Sequence, residues 1–175
     1  MSKADVRSRQ IPLRAQYVRE PQTAMVVDNA RTEASDHSDP FHSTVFPRQE
    51  LGIPIPIGVH EAVGGLHDAP TPGDMLCAAL AACQDSSIRM VANALGVEIE
   101  SLEVVVDGDV DVRGTLGMDA SVPVGFVNLR CSVCLKVAEG TDPRTLRKLT
   151  AASERCCVIQ QTLAKPPVVE TTWNT

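Results

Sequence analysis

The sequence predicts an α+β protein, and three observations carry that prediction. One long apolar helix signal runs from Thr71 to Gly96, two period-two runs follow it between Leu102 and Val137, and a second helix opens at Asp142. Strand-like pieces, a helix, a hairpin and then further helices do not make the strict βα alternation of a parallel sheet.

Residues 1–20 read as a basic arm carrying Lys3, Arg7, Arg9, Arg14 and Arg19, expected as a solvated or loosely docked tail, and residues 21–175 as one domain. Prolines break the chain up to residue 70 into short pieces, of which Thr23–Val27 and Ile53–Ile57 look strand-like. Pro54 and Pro56 put the second at a sheet edge or outside a sheet, because proline cannot donate to a ladder. Thr71 then suits an N-cap, Pro72 the first helical position and Asp74 the acid of a capping box. A helix from there to a stop at Gly96 has about 24 residues and is about 36 Å long. Its apolar residues, among them Met75, Leu80, Cys83, Ile88, Val91 and Leu95, cover much of its circumference, so other elements should surround it.

Beyond Gly96, Leu102, Val104, Val106, Val110 and Val112 share one side of a strand. Val127, Leu129, Cys131, Val133, Leu135 and Val137 repeat the pattern. The turn-rich stretch Gly114–Gly125 between them predicts antiparallel pairing. Asp142 and Pro143 open the next helix, with Leu146, Leu149, Ala152 or Ser153, and Cys156 on one face. A closing strand is expected near Val168–Trp173, after the Pro166–Pro167 break.

A net charge of −6 and a pI near 5.2 oppose binding to a polyanion, and 3% aromatic residues leave few rings to stack on bases. Neither nucleic acid nor a membrane is expected as a partner, since no run approaches the ~20 apolar residues that span a bilayer. With 43% apolar residues the chain can fold without staples, and with no export signal a cytoplasmic address is expected for its six cysteines. Cysteines there are buried thiols, metal ligands or redox catalysts.

Cys131 and Cys134 spell C-x-x-C, but positions three apart on a strand face opposite ways, so Cys131 is expected in the core and Cys134 on the other face. Cys77 lies about 240° around the helix from Cys83 and reads as packing. Cys156 and Cys157 are neighbours, too strained to bridge each other, so at most one should face a given site. His37, His42, His60 and His67 match no metal motif, and no metal is expected. Phosphate-loop, dinucleotide and nucleophile-elbow motifs are absent from the sequence.

The stretch A69 P70 T71 P72 G73 D74 M75 L76 C77 A78 A79 L80 A81 A82 C83, followed later by E154 R155 C156 C157 V158, resembles the osmotically inducible protein C and organic hydroperoxide resistance (OsmC/Ohr) family. The likeness covers about residues 60–170. It implies an OsmC-like fold with antiparallel sheets wrapped around a long buried central helix, in an intertwined homodimer. It also implies a thiol peroxidase acting on organic hydroperoxides, with Cys83 matching the peroxide-attacking cysteine and Cys156 the resolving one. A sulfenic acid and then a disulfide would form, an external dithiol would reopen the bond, and no cofactor would be bound. Peroxidase members carry a glutamate ten positions before the first cysteine, where it helps hold an activating arginine. Gly73 stands there in this chain, Asp74 is next in line, and Arg31 and Arg48 lie in the region that would supply the guanidinium. That departure motivates a rival reading, a redox-responsive or small-molecule binding protein of the same fold, and purely structural cysteines are a third reading.

Overall fold

In a computed structural model that describes residues 5–34 and 36–175, the order is α1 (Val6–Arg19), β1 (Ala30–Glu33), β2 (Ser43–Pro47), β3 (Ile55–Ile57), α2 (Pro72–Leu95), β4 (Ile99–Val110), α3 (Val112–Thr115), β5 (Phe126–Val137), α4 (Pro143–Cys156) and α5 (Val158–Ala164). Helices and small sheets occupy separate stretches of chain, which is the α+β class. Two units divide the chain. One comprises residues 10–78 and 106–130, the other 79–105 and 131–175 with the residues up to Arg9.

The basic stretch is helical from Val6 to Arg19, and the expectation for residues 1–4 lies outside the described residues. Asp5 starts α1 by accepting from the Ser8 amide at 3.1 Å, and Pro12 lies inside the helix. None of its residues is buried.

In the unit of residues 10–78 and 106–130, β1, β2 and β3 form one antiparallel sheet in that order, with Arg31 opposite Phe46 and Val45 opposite Ile55. The Ile53–Ile57 piece is thus the edge strand its prolines predict. Thr23–Val27 is not a strand: Pro21–Ala24 make a 3-10 turn, and Met25, Val26 and Val27 follow in exposed, unpaired chain. High β propensity does not suffice without an edge to pair with, and the more polar Ala30–Glu33 has one in β2. Two loops of this unit are tied by His42, whose Nδ1 lies 2.7 Å from Asp39 and whose Nε2 lies 3.1 Å from Asp68. Hydrogen bonds to Asp39 first and Asp68 second push the His42 pKa up, since both ring nitrogens can donate only as imidazolium.

In the other unit, the α2 residues Leu80, Gln84, Ser87, Ile88 and Ala92 form a buried stripe. Burial all round does not occur, as Met90 and Leu95 stay 46% and 41% exposed. Gly96 ends the helix at φ 71°, its amide reaching Asn93 and the Val97 amide reaching the Ala92 carbonyl at 2.9 Å. β4 and β5 pair antiparallel as predicted, for Lys136 meets Glu100 at 2.7 Å and the Ala138 amide meets the Glu98 carbonyl at 3.0 Å. The core position expected for Cys131 is not found. Cys131, Cys134 and Val133 are all exposed, because alternation selects a face without covering it.

α4 begins where predicted, with the Asp142 carboxylate accepting from the Thr145 amide at 3.0 Å and Pro143 in the first turn. Its buried residues are Leu149 and Ser153. The closing strand is absent: Val168, Val169 and Trp173 are exposed in chain with no ladder partner among the described residues.

Candidate dithiol site

α2 is started by the capping box read from the sequence. The Thr71 amide and hydroxyl each donate to the Asp74 carboxylate at 2.8 Å, and the Asp74 amide returns a bond to the Thr71 hydroxyl at 3.2 Å. His67 adds a third contact at 3.4 Å. The Thr71 amide foremost holds the Asp74 pKa below its ordinary value. Asp74 therefore serves the helix start, and no arginine pairs with it among the described residues.

Twelve residues into α2 comes Cys83, half-buried at the rim of the stripe formed by Leu80, Gln84, Ser87 and Ile88. The second thiol comes from the break between α4 and α5. Cys157 leaves helical geometry at ψ 101°, while its amide still donates to the Ser153 carbonyl at 3.1 Å. Leu149, Ser153 and Cys157 recur every fourth residue, are 0%, 1% and 0% exposed, and so form one inward row. Ser153 adds no unmet polar group, because its hydroxyl donates to the Leu149 carbonyl at 2.8 Å.

The Cys157 thiol lies near enough to Cys83 for the two side chains to interact. Burial is the largest cause pushing the Cys157 pKa from 9.0 up to about 11. Its contact with Cys83 adds to the rise, and the Gln160 and Ile159 amides draw it the other way. At neutral pH Cys157 thus keeps its proton and can donate it toward the Cys83 sulfur.

Cys156, the residue matched by motif to the resolving cysteine, is exposed in the last turn of α4. It shares the α4 face of Leu149 at seven-residue spacing, whereas the row that is buried advances by fours. The sequence reading put Leu146, Leu149, Ala152 or Ser153, and Cys156 on one face, whereas Ser153 and Cys157 are the residues buried with Leu149. A second residue that the sequence reading passed over is Gln84. It is 4% exposed, and its side-chain oxygen has no hydrogen-bond partner.

Of the remaining candidates, Cys77 is half-buried, with burial foremost pushing its pKa up. Arg31 is paired with Glu33 at 2.5 Å and lies 5.1 Å over the Phe46 ring, and Arg48 is 4.0 Å from Glu50. Among the described residues no group of three or more His, Cys, Asp or Glu side chains could hold a metal ion. No helix there is long and apolar enough to cross a membrane.

A helix-borne thiol beside a second thiol at a helix junction sits in an α+β frame with small antiparallel sheets. The chain belongs to the OsmC-like protein family, whose model matches residues 65–172. Solved structures agree on the fold. An OsmC-like protein from Mycoplasma pneumoniae is 15% identical, with a TM-score of 0.61 over 81% of this chain and 89% of that one. An OsmC-like protein of unknown function from Vibrio cholerae is 13% identical, with a TM-score of 0.64 over 79% and 94%. An organic hydroperoxide resistance protein from Legionella pneumophila is 17% identical, with a TM-score of 0.54 over 81% and 91%. No curated protein matches the chain.

Proposed function

We propose that the protein reduces organic hydroperoxides by a thiol cycle in which Cys83 attacks and Cys157, in place of Cys156, resolves. The observation that carries this reading is the interaction of the buried Cys157 thiol with Cys83. The Cys83 thiolate attacks the hydroxyl oxygen of the hydroperoxide, an S–O bond forms and the O–O bond breaks. The alkoxide leaves and takes a proton from water, so that sulfur is oxidised by two electrons and the peroxide reduced to an alcohol. Cys157 then attacks the sulfenic sulfur, water departs and a disulfide remains. An external dithiol reopens it by exchange, becoming a disulfide itself.

A reducing cytoplasm suits such a cycle. A homodimer is part of the same reading, supported by the exposed Val168, Val169 and Trp173, and sedimentation velocity tests it. The test of the chemistry is steady consumption of cumene hydroperoxide with a dithiol donor. Wild type turns over, Cys83→Ser does not, and equal rates in the two would remove Cys83 from the reaction.

A second reading is favoured by Gly73 at the family's glutamate position and by the engagement of Asp74 in the capping box. In it the pair oxidises once, as a redox-responsive switch or binding module. One equivalent of disulfide without multiple turnovers would select it.

A further inference from the structure

Gln84 follows Cys83 directly in α2, and its amide oxygen is buried without a hydrogen-bond partner. A carbonyl that loses water and gains no donor costs free energy, so folded proteins seldom keep one without a use. Every other polar choice in this unit's core looks resolved or small: Ser153 bonds to Leu149, and Ser87 is a single hydroxyl. Gln84 is the long side chain in a stripe otherwise made of Leu80, Ser87, Ile88 and Ala92. An alanine, leucine or methionine would fill such a position at no polar cost. The residue type thus points to a donor that arrives from outside the chain.

The neighbouring chemistry supplies the kind of donor. A hydroperoxide carries one O–H, on the oxygen that a thiolate attacks. In the alkoxide-releasing step that proton stays with the transferred oxygen, so an acceptor holding it is not consumed. Consecutive helical residues have Cα atoms about 3.8 Å apart and diverge by about 100°. Cys83 therefore lies at the rim of the buried stripe and Gln84 within it, with Ser87 one turn on between their directions.

We propose that the Gln84 amide oxygen accepts a hydrogen bond from the O–H of an organic hydroperoxide, turning that oxygen toward the Cys83 sulfur. This rests on the peroxidase reading and names the residue that orients its substrate. It makes two demands that pull in opposite directions. Removing the oxygen relieves the free protein, and it impairs the reaction.

The experiment compares wild type with Gln84→Met, a variant of similar volume. Sulfenic acid at Cys83 is trapped with dimedone under limiting cumene hydroperoxide, in a Cys157→Ser background, and ligand-free melting is followed in parallel. The expected result is about tenfold slower trapping together with a melting temperature about 3 °C higher. Unchanged trapping overturns the proposal. So does a lower melting temperature or a variant that fails to fold, since either means the oxygen already has a structural partner. Wild type supplies an independent check with cumyl alcohol, which has the same tail and an O–H but no peroxide bond. It should slow iodoacetamide labelling of Cys83 in wild type and not in Gln84→Met, and equal protection in both overturns the role of Gln84. Wild type that forms no sulfenic acid sinks the peroxidase reading itself. Wild type and variant that react equally fast sink only the inference about Gln84.

Discussion

Cys131 and Cys134 stand three residues apart on β5, while Cys83 and Cys157 come from α2 and from the junction of α4 and α5. The close pair is turned to opposite sides by alternation along a strand, and both residues are exposed. The distant pair lies near enough for the two side chains to interact, and Cys157 is fully buried. Spacing in the chain is therefore a poor guide to cysteine chemistry, and the element that carries each cysteine is a better one. A strand separates what a motif groups. A helix end turns inward what sequence distance hides.

The largest effects should come from the thiols themselves. Cys83→Ser should abolish peroxide-dependent disulfide formation, and Cys157→Ser should let Cys83 reach sulfenic acid but stop there, as read by mass spectrometry with dimedone. Cys131→Ser and Cys134→Ser should change neither step by more than about twofold, in keeping with free cysteines on exposed residues. Loss of resolution in either strand variant would break the contrast between the pairs.

The resolving step should be sharply pH-dependent. With its pKa pushed up to about 11, Cys157 gains thiolate about tenfold per pH unit from pH 7 to 10. Stopped-flow measurement of the sulfenic acid to disulfide step should show that slope. Linkage gives the matching stability effect. The folded pKa lies above the unfolded value, so the benefit of a neutral buried thiol is complete below pH 9.0 and is lost as pH rises toward about 11.

A smaller effect follows from the inward row. Leu149→Ala, at a residue with no exposure, should cost about 2–5 kcal/mol in urea unfolding and should slow resolution by loosening Cys157. Removing the helix cap with Asp142→Ala should cost about 1 kcal/mol. The smallest expected change concerns the other unit: Asp68→Asn should lower the raised His42 pKa in an NMR titration, leaving the thiols untouched.

What the sequence made legible were elements whose signals are local. Thr71, Pro72, Asp74 and Gly96 bound α2 within a residue, Asp142 and Pro143 start α4, and alternation marks β4 and β5. The errors arise where the outcome depends on partners. α1 has no apolar stripe to reveal it, and Thr23–Val27 and Val168–Trp173 have strand composition but no edge to join. Cys131 has the right parity for a core that does not cover it. At the site, the motif singled out Cys83 and Cys156, and it could not tell that Cys157 is the buried one of the neighbouring pair, because a motif match fixes neighbourhood and not direction. A shift of one residue on a helix is a turn of about 100°. Gln84 was invisible for a different reason: an unpaired oxygen is a property of its surroundings.

The most direct measurement is disulfide mapping after one equivalent of cumene hydroperoxide, on wild type and on the Cys156→Ser and Cys157→Ser variants. A Cys83 to Cys157 bond in wild type, kept in Cys156→Ser and lost in Cys157→Ser, is the predicted result. A Cys131 to Cys134 bond, or a bond to Cys83 that survives Cys157→Ser, would contradict it.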